Sequence, residues 1–92
     1  MGRVKAAMEA KLAAAFNPVR LEISDDSDHH KGHSGARDGG ESHFTLTIVS
    51  DAFSGLGRVE RQRRINRVLV EELSGPVHAL SIRALAPADA GA

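Results

Sequence analysis

Residues 43–48 read His43-Phe44-Thr45-Leu46-Thr47-Ile48. Phe44, Leu46 and Ile48 alternate with Thr45 and Thr47, so an extended chain here has one apolar and one polar face. That is a half-buried strand. The same alternation occurs upstream over residues 19–24, where Val19, Leu21 and Ile23 interleave with Arg20, Glu22 and Ser24. The two strands are expected to pair antiparallel across the segment between them.

That segment, Asp25–Ser42, has four glycines, four aspartates and three histidines but almost nothing apolar. Loops of this length are uncommon in compact domains and are usually functional or disordered. With no apolar anchor, it is expected to be poorly ordered. Downstream, residues 51–57 form a turn-rich connector. A helix is expected over about 58–73, with Ile65, Val68, Leu69 and Leu73 as its buried stripe and the arginines mostly elsewhere. Gly75-Pro76 supplies the stop. Residues 77–85 alternate again, with His78, Leu80 and Ile82 on one side and Ser81 and Arg83 on the other. Residues 86–92 read as a frayed tail.

At the other end, Val4, Met8, Leu12 and Ala15/Phe16 recur at helical spacing over residues 3–16. Asn17-Pro18 ends that helix, because the residue before a proline is pushed out of the α region. The 92 residues make one α+β domain, in the order helix–strand–strand–helix–strand. Three strands are backed by helices on one face.

Composition narrows the function. Hydrophobic residues are 41% of the chain, enough for one core, and the aromatic residues are Phe16, Phe44 and Phe53 alone. No apolar run approaches the roughly 20 residues that span a bilayer. Glu9 and Lys11 interrupt any signal-peptide core, so the expected location is the cytoplasm, with no membrane partner. Cysteine is absent, which excludes disulfides, a thiol nucleophile and a thiolate metal ligand from this chain. Charge is balanced overall but unevenly placed. Residues 25–42 carry five acids against Lys31 and Arg37, a net −3; residues 58–67 carry five arginines against Glu60, a net +4. Such a separation offers partners two different surfaces.

Few patterns carry chemistry. No Gly-x-Ser-x-Gly elbow presents a nucleophile, and Gly55-Leu56-Gly57 falls short of either nucleotide-binding pattern. A domain this small rarely encloses a pocket for a small-molecule substrate. Catalysis is therefore not expected. His29, His30 and His33 are spaced so that two imidazoles could meet on one ion, but histidines in an acidic glycine-rich loop are also commonly just solvated. His43 and His78 open the second and third strands separately, and each reads as a structural histidine. Arg58, Arg61, Arg63, Arg64 and Arg67 form a basic helix that could contact phosphates, or equally an acidic protein. The lack of Trp and Tyr leaves few platforms for stacking single-stranded bases.

Three stretches taken together resemble the BolA family. Glu41-Ser42-His43-Phe44 opens a strand after a loop. Phe53-Ser54-Gly55 followed by Arg61-Gln62-Arg63 is similar to the family's Phe-x-Gly and later Arg-His-Arg, with Gln62 in place of the commoner histidine. Glu71-Glu72-Leu73 runs on to Val77-His78-Ala79-Leu80. The likeness covers about Val4 to Leu85. It implies a small class II KH-like domain and a non-enzymatic role, either as a transcriptional regulator or as the partner of a monothiol glutaredoxin.

In such heterocomplexes a [2Fe–2S] cluster is shared, with sulfur from the glutaredoxin and glutathione. The BolA partner offers a histidine ahead of the third strand and a His or Cys in the long loop. These positions map onto His78 and, counting from Asp26-Ser27, onto His30, with His29 and His33 as alternatives. The missing cysteines fit this arrangement, since a soft iron centre needs thiolate that only a partner would bring. No tightly bound metal is expected in the isolated chain. The resemblance thus favours an adaptor in iron–sulfur trafficking or iron regulation. A DNA-binding regulator using the arginine helix, or a plain protein-interaction module, are the alternatives.

Overall fold

The structure, a computed structural model, describes residues 3–26 and 42–90. Helix α1 spans Arg3–Phe16, strand β1 Arg20–Asp25 and strand β2 His43–Val49. After a tight helical turn at Asp51–Phe53 come α2 (Arg58–Val68), α3 (Val70–Ser74), β3 (Ala79–Leu85) and a last short helix α4 (Pro87–Ala90). The expected order of elements holds, and the sheet order is β1-β2-β3. β1 runs antiparallel to β2, and β3 runs parallel to it. A parallel neighbour needs a long crossover, which α2 and α3 supply.

Register explains the core. Leu21 faces Ile48, Ile23 faces Leu46, Phe44 faces Leu80, and Leu46 faces Ile82, all on one side of the sheet. Against this face pack Met8, Leu12 and Phe16 of α1 and Ile65 and Leu69 from the crossover. Phe53 is fully buried, its ring centroid 4.9 Å from that of Phe16. The opposite face carries Arg20, Glu22, Ser24, Thr45, Ser81 and Arg83, all exposed. One apolar and one wet face is the arrangement that alternation implied.

Several boundaries move. Asp25 belongs to β1, paired with Phe44, rather than to the loop. Asn17 ends α1 with φ 45°, a left-handed conformation asparagine tolerates, and its N–H reaches the Ala13 carbonyl at 3.0 Å. The single helix expected over 58–73 is kinked at Leu69, whose φ and ψ are −101° and 22°. Hydrogen bonding continues through the kink, Leu69 N–H to Ile65 and Leu73 N–H to Leu69. Beyond the kink Glu72 stays on the buried stripe of Ile65 and Leu69, and Lys11 of α1 meets its Oε2 at 2.7 Å. Lys11 also meets Glu71 at 2.7 Å, which raises the lysine's pKa and lowers that of Glu71.

The expected frayed tail is instead a helical turn over 87–90. The Asp89 carboxylate reaches back to the Ala86 N–H at 3.0 Å, half of a capping box, and also accepts from Arg61 at 2.9 Å. The order of the long loop and the positions of His29, His30 and His33 lie outside the described residues. Among the described residues no helix is long and apolar enough to cross a membrane.

Ser50, 1% exposed, joins three elements. Its hydroxyl donates to the Phe16 carbonyl at 2.6 Å and accepts from Ala52 N–H at 3.1 Å, while its own N–H donates to Leu85 at 2.9 Å. Ser50→Ala keeps the backbone bond but strands the buried Phe16 carbonyl. Urea unfolding should show a loss of about 1–3 kcal/mol, the cost of an unsatisfied buried polar group.

Asp89 predicts a pH effect. The Ala86 N–H, and then the Arg61 guanidinium, hold its carboxyl below the usual carboxylate range. A lowered folded value means the contribution is complete above the ordinary Asp value of about 3.9. It is lost as pH falls through the lower folded value. The protection of the Ala86 N–H from hydrogen exchange, relative to the intrinsic rate at each pH, should fall over that acid window in the native chain, and should already be lower at neutral pH in Asp89→Ala.

Candidate functional site

Parallel pairing puts the N-terminal ends of β2 and β3 side by side. At this end His43 pairs in register with Ala79. Period-2 alternation would send His78, one residue earlier, to the buried side with Leu80 and Ile82. The structure does otherwise. The N–H groups of His78 and Ala79 both donate to the Ser42 carbonyl, at 2.7 and 3.1 Å. Two successive residues opposite one is the pattern of a bulge, and it breaks the alternation at the strand's entrance. His78 is therefore exposed and lies ahead of β3 rather than within it.

The same pivot brings His78 onto His43. Their ring centroids are 6.2 Å apart and their planes differ by 16°, an offset stack. Ser42 Oγ lies 2.9 Å from Nδ1 of His43. The two histidines that sequence reading treated separately thus form one pair. The signal was available only through the register, since both residues immediately precede or open strands that turn out to be parallel neighbours.

Both roots of the histidine-rich segment lie at this end as well. Asp26 accepts hydrogen bonds from Ser24 at 2.9 Å and from Thr45 Oγ1, which fastens the exit of β1 to β2. Ser42, at the other root, holds the start of β3. His30 is four residues along the chain from Asp26, a reach of at most about 14 Å when fully extended. Among the described residues no three His, Cys, Asp or Glu side chains converge on one point. A metal held at His78 would take further donors from the loop or from a second molecule.

The described histidines at this end supply imidazole and the chain supplies no thiolate, so a soft-metal centre here would need sulfur from another molecule. His78 is the accessible imidazole whose backbone is fixed.

The five arginines do not act alike. Arg61 is only 16% exposed and donates to the carbonyls of Leu56 and Ala84, at 2.9 and 3.0 Å, and to Asp89. It staples α2 to the end of β3. Its position four residues before Ile65 places it on the buried stripe, a signal the sequence did contain. Arg64 and Arg63 flank Glu60, at 3.1 and 4.0 Å. Arg58 and Arg67 are exposed at the two ends of α2. Between α2 and β3 runs a groove of about 320 Å³ with Arg58, Gln62 and Arg83 along it. A basic surface exists, but Arg61 is spent on the fold.

Comparison with known proteins gives these features a context. The family model for BolA-like proteins matches residues 12–89. BolA-like protein 1 of Bos taurus is 43% identical over 88 residues, covering 96% of this chain. The chain spans 62% of that relative's own length. The DNA-binding transcriptional regulator BolA of Escherichia coli is 44% identical over 79 residues, covering 86% of this chain and 71% of the regulator. Among solved structures, the BolA domain of SufE1 from Arabidopsis thaliana has a TM-score of 0.83 at 44% identity, with 97% of this chain and 98% of that domain covered. Because one family model spans most of the sequence, relatives above 40% identity cover most of it, and a solved relative shares its fold, the chain belongs to the BolA family.

Proposed function

We propose that this protein is an adaptor that binds a monothiol glutaredoxin and lends imidazole to a [2Fe–2S] cluster held between them. The observation that carries the reading is His78: an exposed histidine whose backbone is pinned to Ser42, at the sheet end where both roots of the histidine-rich loop meet. The cluster supplies iron and sulfide for transfer or sensing. The chain's part is to present His78, with His30 as the loop ligand and His29 or His33 as its alternatives, while the partner and glutathione bring thiolate. With no cysteine of its own, this chain cannot compete for those thiolate positions.

Copurification with a monothiol glutaredoxin tests this directly. The complex should show visible absorption from a [2Fe–2S] cluster and a histidine signature in its spectrum. His78→Ala should alter and weaken that signature while the two proteins still associate, leaving only the contribution of the loop histidine. Because protons compete with the metal for a ligating imidazole, the signature should also weaken on acidification. A spectrum indifferent to His78→Ala would return the protein to a plain protein-binding module.

A second reading, a DNA-binding regulator, is favoured by the exposed arginines of α2 and by the similarity to the E. coli DNA-binding transcriptional regulator BolA. Contact would be mainly to phosphate, and so weakened by salt. Replacing Arg63 and Arg64 by Ala should reduce DNA retention across sequences and flatten its dependence on salt, read by titration at several salt concentrations. Unchanged affinity and slope would remove α2 from the account.

A further inference from the structure

We propose that His43 is a positioning residue, its ring holding the His78 imidazole in the orientation that meets the metal. The proposal rests on the reading of His78 as a ligand and extends it to a residue that does not itself bind iron. Three observations carry it. His43 and His78 are offset-stacked, 6.2 Å between centroids with planes only 16° apart. The Ser42 hydroxyl at Nδ1 of His43, 2.9 Å away, fixes the rotation of that ring. The carbonyl of the same serine fixes the backbone of His78. Ser42 therefore locks both partners of the stack, one through its side chain and the other through its main chain.

The physical need is clear. His78 lies outside the ladder of β3 and is exposed, so nothing in the core orders its side chain. A ligand that is free to rotate loses that freedom each time it binds, whereas one already ordered binds without that loss. His43 is half-buried at the start of the central strand, a rigid support for the ring beside it.

Two variants separate contact from chemistry. His43→Ala removes the ring. His43→Phe keeps a flat ring of similar width but has no nitrogen to bind metal or to share a proton. In the isolated chain, NMR couplings should show one preferred His78 χ1 rotamer in the native protein, averaged rotamers in His43→Ala, and one again in His43→Phe. In the complex with a monothiol glutaredoxin, cluster loss to a chelator should be several-fold faster for His43→Ala and near native for His43→Phe, with the histidine signature present in both. Loss of that signature in both His43 variants would overturn the proposal and make His43 a ligand. Unchanged His78 couplings in His43→Ala would overturn the positioning role alone. A signature unchanged by His78→Ala would overturn the ligand reading, and the proposal with it.

Discussion

The pairing of β3 parallel to β2 is the constraint from which the rest follows. An antiparallel third strand would have followed β2 through a short turn and left its first residue at the far end of the sheet. Parallel pairing requires the chain to travel back along the sheet before β3 begins, and α2 and α3 make that journey. Their apolar residues Ile65 and Leu69 then cover the inner face of β2, whose Phe44, Leu46 and Ile48 are almost wholly buried. The same topology sets the starts of β2 and β3 next to one another. His43 and His78, 35 positions apart in sequence, become neighbours for that reason alone.

The crossover also decides what the arginines are for. A helix packed across a sheet has an inner side and an outer side, and charge on the inner side must find partners or remain costly. Arg61 falls on the inner side and is satisfied by two carbonyls and a carboxylate, closing the end of β3 against α2 and α4. Glu72 faces inward in the same way beyond the kink and is met by Lys11. The residues left for partners are the outward ones. A count of basic residues in the segment therefore overstates the surface it presents.

How much of this was legible in the sequence follows from the range of each interaction. Alternation in 19–24 and 44–48, and three-four spacing in 3–16, are local records of which face is buried, and those elements stand where expected. The Asn17-Pro18 stop is equally local. The kink at Leu69 was not legible, because Ile65, Val68 and Leu69 share a face whether the helix is straight or bent. The helical turn at 87–90 had a local signal, Pro87 at its first position and Asp89 reaching back to the Ala86 N–H, while its tie to Arg61, 28 residues away, was not legible. The site was half legible. His78 was identified through family likeness, while alternation placed it on the wrong side of its strand. The bulge-like convergence of two N–H groups on Ser42 is a long-range event that no periodicity encodes.

Under the proposed function, a division of labour would explain how a domain without thiols takes part in cluster chemistry. A chain with its own cysteines at this sheet end would offer soft ligands to any metal it met, and selectivity would rest on availability. Histidine alone is a weaker and more conditional donor, since it binds only as neutral imidazole and needs orientation to do so. On the proposed reading the orientation would come from a rigid part of the fold, the Ser42 carbonyl and the His43 ring, and the thiolate would be left to the partner. Binding would then be complete only with both proteins present, which would make the sheet end half of a site and give the proposed adaptor its physical meaning.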